Sequence, residues 1–237
     1  MEINKLATTR YVALRGLSGY EKENTVAAFI AAGNRSYYGI EGDLIMTKDN
    51  VFVICHEKNT QSIAPINKII LDSTYKELLE IPLYEMNTQC PKAYLRIPTL
   101  KDLLFICKKY RKRAFINLKC DLNYPQIQNL LDEIEDFDYL DKVVILSSNF
   151  LNLKKIRDLS PTIYLQYGAE QYREEVLDLC LEINAGLVLE YQDLKKQLID
   201  LFHHHNLEVN AWAINDETNA RELETYGIDY ITTSILE

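Results

Sequence analysis

No C-x-x-C pair occurs in this chain. Its five cysteines, at positions 55, 90, 107, 120 and 180, are odd in number and too scattered for a zinc ribbon or a disulfide framework. Reduced, buried thiols in a cytoplasmic protein are the expectation. No G-x-G-x-x-G and no P-loop is present, which removes the commonest phosphate-cradling loops of nucleotide-binding folds. Long apolar runs are missing too. No stretch is long and apolar enough to span a bilayer, and the opening MEINKLATTRYVAL lacks the apolar core of a secretion signal. Positive charge is scarce: 26 Lys and Arg face 35 Asp and Glu, a formal net charge of −9. A general nucleic-acid or anionic-membrane surface is therefore not expected, since both need basic patches. Outside the run His203-His204-His205 there is one histidine, His56, and there is one tryptophan, Trp212.

What is present suits one globular domain over residues 1–237, with 47% hydrophobic residues to build its core. Short apolar or β-branched runs alternate with stretches of helical periodicity. Strands are predicted at 11–14, 39–46, 114–119, 143–147, 163–166, 186–190, 208–214 and 229–233. Helices are predicted at 25–32, with Asn24 as N-cap, and at 99–111, 124–137, 151–159, 171–183, 194–205 and 217–226. Repeated β-then-α units imply a parallel sheet. Eight of them in this length fit a closed (β/α)₈ TIM barrel of the α/β class. A doubly wound open sheet is the alternative. Residues 57–98, punctuated by Pro65, Pro82, Pro91 and Pro98, read as a loop-rich insertion with one short helix near Thr74 to Leu79.

The second strand carries a β-hairpin extension. Gly39 to Glu57, GIEGDLIMTKDNVFVICHE, reads as two strands joined by a polar turn at Thr47-Lys48-Asp49-Asn50. A turn centred there pairs residues whose numbers sum to about 99. His56 then lies opposite Gly42 or Asp43. Glu41 and Asp43 are two apart and point to one side of their strand. An E-x-D pair is common on wet strands, but here Ile40, Leu44, Ile45, Val51, Val53 and Ile54 argue for burial, where unpaired carboxylates are costly. Two carboxylates and an imidazole in one small volume are material for a metal site with an acid or base beside it. In a barrel the active site lies at the strand ends. Leu14, Arg15, Asp43, Asn117, Lys119, Ser148, Trp212 and Asn215 all fall there, with His56 beside them.

The series LRG (14–16), ENTVAAF (23–29), IEGD (40–43), TKDN (47–50), VICHE (53–57), IPTLKDLL (97–104), INLK (116–119), WAIND (212–216) and GIDYITT (227–233) resembles the glycerophosphodiester phosphodiesterases. The resemblance runs in order through nearly the whole chain. It implies a metal-dependent TIM-barrel hydrolase that cleaves glycerophosphodiesters to glycerol phosphate and an alcohol. By position, it implies that Glu41 and Asp43 bind metal, that His56 is a catalytic histidine, that Arg15 and Lys119 hold the phosphate, and that Trp212 meets the glycerol end. The residue types suit the chemistry. Phosphoryl transfer builds negative charge on oxygens, which cations stabilise. One group must activate the attacking hydroxyl and another must protonate the leaving oxygen.

Three positions depart from the family pattern. Leu14 stands where the family has the first histidine, Asn117 where it has a third metal-binding glutamate, and Thr233 where it usually has aspartate. Leucine cannot transfer a proton, and loss of one acid–base group costs about 10²–10⁴ in rate. Asparagine can ligate through its amide oxygen, so Asn117 is retained as a candidate ligand of a weakened Mg²⁺ or Ca²⁺ site. The expectation is a phosphodiester hydrolase with a degenerate site, or alternatively an inactive relative that binds a phosphate-bearing small molecule. Glu57, Tyr20 and Glu190 are candidates to replace the missing acid–base group. His203, His204 and His205 close a helix that leads into a strand, so they are expected at the far end of the barrel. Glu23 and Asn24 read as the start of a helix, although Glu23 at the top rim is within reach of the site.

Overall fold

The structure is a computed structural model and describes residues 9–237. Eight parallel strands close on themselves. In chain order they are β1 (Arg10–Ala13), β2 (Gly39–Met46), β4 (Arg113–Leu118), β5 (Val143–Ser147), β6 (Tyr164–Gly168), β7 (Gly186–Glu190), β8 (Val209–Trp212) and β9 (Tyr230–Thr233). β1 pairs with both β9 and β2, which completes the ring. The helices are α1 (Val26–Gly33), α2 (Tyr75–Leu79), α3 (Leu100–Tyr110), α4 (Tyr124–Glu135), α5 (Phe150–Leu159), α6 (Glu174–Ile183), α7 (Lys196–His204) and α8 (Glu217–Thr225). This is the expected TIM barrel, and the open-sheet alternative is set aside. β3 (Phe52–Ile54) is the extra strand, bonded antiparallel to β2 outside the ring.

The strand pleat sorts side chains to two sides. On β4, Ala114 and Ile116 pack outward on the helices, whereas Phe115 faces inward with Val12, Val144, Leu146, Val188 and Tyr230. The same alternation sends Leu187 and Leu189 outward and Val188 inward. Glu41 and Asp43 share a register with Phe115 and Asn117. They are therefore carried inside by the pleat. Lower in the barrel a buried polar chain is satisfied internally. Asn210 Nδ2 donates to Gln166 Oε1 at 3.0 Å, and the Thr232 hydroxyl donates to Asn210 Oδ1 at 2.9 Å. Gly39 leaves the room that Phe115 fills, since a Cβ there would lie 2.4 Å from the ring.

The hairpin has the expected shape. Leu44, Ile45 and Met46 pair with Ile54, Val53 and Phe52, and the Cys55 N–H donates to the Asp43 carbonyl at 2.7 Å. The segment after it is more ordered than its prolines suggest. Ile63, Ala64, Ile70, Leu78, Ile81, Leu83, Leu95 and Ile97 pack with Ile45, Val53 and Cys55 into a small core of their own. α2 is the short helix expected there, and a reciprocal Thr74–Glu77 capping box starts it. One expectation at a helix start is corrected. The N-cap of α1 is Thr25, whose hydroxyl accepts from the Ala28 N–H, and Asn24 does something else.

Candidate active site

The turn after β1 begins the site. Arg15 and Gly16 follow one another in the left-handed region, at φ 53° and 77°. A Cβ on Gly16 would lie 2.6 Å from the Ala28 backbone, so glycine lets this turn press against α1. The reversal aims the Arg15 N–H at Glu41 Oε2, 2.8 Å away. It also brings the guanidinium over β2. Arg15 Nη1 pairs with Glu23 Oε2 at 2.9 Å, and Nε lies 2.9 Å from Asp43 Oδ2, off the direction of a good hydrogen bond. Burial works against the charged form of Arg15, but Asp43, Glu23 and Glu41 outweigh it and raise its pKa.

Asp43 is the hub. It is 1% exposed, and four nitrogens surround its carboxylate. Lys119 Nζ at 3.2 Å and Asn117 Nδ2 at 3.1 Å meet Oδ1. Asn24 Nδ2 donates to Oδ2 at 2.9 Å, opposite Arg15 Nε. Asn24 Oδ1 also accepts from the Asp43 N–H at 3.2 Å. Asn24 thus clamps both ends of Asp43, and its φ of 54° is a left-handed conformation that Asn tolerates. Its neighbour Glu23 holds Arg15. Glu23 thus reaches the site from the rim, and Asn24 is part of it rather than a helix start; their polarity beside an apolar helix is the local signal.

Glu41 differs from Asp43. One oxygen accepts from Arg15, while Oε1 is buried without a partner. Burial, reinforced by the charge of Asp43, pushes its pKa up to about 8. Glu41 is thereby biased toward its neutral form.

A cavity of about 260 Å³ opens above these residues, lined among others by Leu14, Arg15, Glu41, Asp43, His56, Asn117, Lys119 and Trp212. All seven predicted site residues thus face one space at the strand ends. Leu14 lies there in place of an imidazole. Ser147, Ser148 and Glu170 also line the cavity, and of these three only Ser148 had been placed at a strand end by sequence. His56 Nδ1 is 3.2 Å from Glu57 Oε1. A carboxylate there places the proton on Nδ1 and leaves Nε2 for a substrate. Glu57 so acts on His56, and neither Tyr20, which is 62% exposed, nor Glu190 lines the cavity. Cys55 is buried, with its thiol pushed up to about 12 by burial. His203 pairs with Asp229 beside the start of β9, at the opposite end of the barrel. Two larger hollows, about 430 and 680 Å³, lie there or on the flank, and neither contains a histidine.

The residues present do not fit a resident divalent metal well. Of the two carboxyl groups, Asp43 is already surrounded by four nitrogens, and Glu41 has one oxygen taken by the Arg15 N–H. The third position, Asn117, turns its NH₂ toward Asp43. A dication on Asp43 would sit among the Lys119 ammonium and the Arg15 guanidinium, where like charges repel.

Known proteins agree with the fold and the motif order. A glycerophosphodiester phosphodiesterase of Bacillus subtilis is 24% identical over 249 residues, covering 94% of this chain and 82% of its own. One from Caldanaerobacter subterraneus is 23% identical, covering 95% of this chain and 93% of its own. An Oleispira antarctica phosphodiesterase, solved in complex with the product sn-glycerol-3-phosphate, superposes with a TM-score of 0.86 at 21% identity, over 96% of this chain and 93% of that one. The profile of the glycerophosphoryl diester phosphodiesterase family matches residues 15–234, and the chain belongs to that family.

Proposed function

We propose that this protein is a phosphoric diester hydrolase that cleaves glycerophosphodiesters to glycerol phosphate and an alcohol, through a site reduced relative to its family. The observation that carries the reading is one cavity holding Arg15, Lys119 and His56 together. Arg15 and Lys119 bind the phosphoryl oxygens and stabilise the charge that grows on them in the transition state. Trp212 packs on the carbon skeleton of the substrate. His56, oriented by Glu57, moves the proton at Nε2. Leu14 leaves it without a second imidazole, so the rate falls by about 10²–10⁴ relative to a two-histidine site. The free thiols accord with a reducing cytoplasm.

Leu14 also favours a second reading, in which the cavity binds a phosphate-bearing ligand without turning it over. Glycerol phosphate release from glycerophosphocholine separates the two. Slow turnover that disappears in His56→Ala supports the hydrolase. No turnover above background by wild-type protein would leave the binder.

A further inference from the structure

We propose that this chain holds its phosphate-bearing ligand through Arg15 and Lys119 without a divalent metal, the Asn117 amide having replaced the group that would require one. The inference rests on Arg15 and Lys119 as the phosphate-holding pair proposed above, and not on turnover.

The argument is one of charge and donor direction. Three carboxylates crowded at a strand end repel one another and stay ionised together only when a cation lies between them. Replacing the third by asparagine changes the sign of the interaction. An amide beside a carboxylate presents its NH₂, because its oxygen would meet another oxygen. Asn117 Nδ2 lies 3.1 Å from Asp43 Oδ1, so it attracts what a carboxylate there would repel. Asn24 makes the same kind of contact at 2.9 Å on Oδ2. Lys119 and Arg15 supply the positive charge on the two oxygens, at 3.2 and 2.9 Å. Asp43 is thereby neutralised by the protein's own groups.

The ligand's charge is met in the same way. The Arg15 and Lys119 side chains are 21% and 28% exposed, against 1% for that of Asp43. Each therefore has one side on the buried carboxylate and another on the cavity. Arg15 uses Nε and Nη1 on Asp43 and Glu23, which leaves Nη2 for a phosphate oxygen. Lys119 has three donors. An anion entering above them completes an alternation of carboxylate, cations and phosphate, with no metal in the series.

Calorimetric titration with sn-glycerol-3-phosphate tests this. Protein stripped with EDTA is expected to bind it with an affinity that changes less than about twofold on adding Mg²⁺, Ca²⁺ or Mn²⁺, well below the tenfold of about 1.4 kcal/mol. Lys119→Met should weaken binding at least about tenfold with or without metal. Asn117→Glu should make binding metal-dependent, weaker in EDTA and restored by the cation. Wild-type binding that EDTA abolishes and a cation restores would overturn the proposal, as would absence of binding under both conditions. Metal-free binding with no hydrolysis would uphold it while removing the hydrolase reading. Hydrolysis together with EDTA-sensitive binding would do the reverse.

Discussion

Glu41 and Asp43 sit two residues apart on one strand, yet they have different surroundings. Asp43 is met by four nitrogens. Glu41 has one backbone partner and a neighbouring negative charge, and its pKa rises to about 8 from an unfolded value near the usual 4.5. A carboxyl raised on folding binds more protons in the native state than in the unfolded one. Its contribution to stability is thus present in full below pH 4.5 and is lost as pH rises to about 8. Wild-type protein is expected to lose stability over that window by an amount on the order of a few kcal/mol from this group. Glu41→Gln should flatten the slope, so that its midpoint in urea gains on wild type at pH 8 and not at pH 5. Asn24 offers a separate test. Asn24→Gly keeps the left-handed backbone but leaves the Asp43 N–H unpartnered and its Oδ2 with Arg15 alone, and should cost about 1–3 kcal/mol in urea unfolding. The Glu41–Asp43 pair was legible in sequence because strand alternation is local. Asn24 was misassigned as a cap because Asn is equally at home at an N-cap and in a left-handed turn. Only the position of β2 across from it decides which.

Among the elements, β2 positions the most chemistry. It pairs with β1, β3 and β4, and its inward residues run Gly39, Glu41 and Asp43. Gly39 is filled by Phe115, so Gly39→Ala pushes a methyl into an aromatic ring and should cost about 1–3 kcal/mol by thermal or urea unfolding. The first helix after the insertion is held at its start by a Thr99–Asp102 capping box. Thr99→Ala should cost about 1 kcal/mol without altering ligand binding. Thr99 was readable as a cap from its place before an amphipathic run. The segment between β3 and α3 was not readable to the same degree. Its apolar residues have no fixed period, and they become a core only because the hairpin supplies the other face.

At the level of the barrel, the ends of the described chain meet. β1 and β9 pair along Arg10–Ala13 and Tyr230–Thr233, and Arg10 is stacked 3.9 Å over the Tyr230 ring with its Nη2 2.5 Å from Glu208. Without the last strand, β1 and β8 become open edges. A chain ending at residue 228 is expected to lose its near-ultraviolet circular dichroism and its sharp thermal transition, whereas the full chain should unfold in one cooperative step as a single domain. The count of eight barrel strands was in the sequence because periods of 2 and 3.6 residues are set by neighbours along the chain. The identities at positions 14, 41, 43, 56, 117 and 119 were there as well, including the two substitutions that distinguish this site. What they do to one another was not. Whether Asn117 offers oxygen to a cation or NH₂ to Asp43, and how far Glu41 is pushed toward its neutral form, depend on atoms from two strands and two loops brought within about 3 Å, the range over which hydrogen bonding and desolvation act. Sequence specifies the strands that converge; the energy of a buried charge exists only once they have done so.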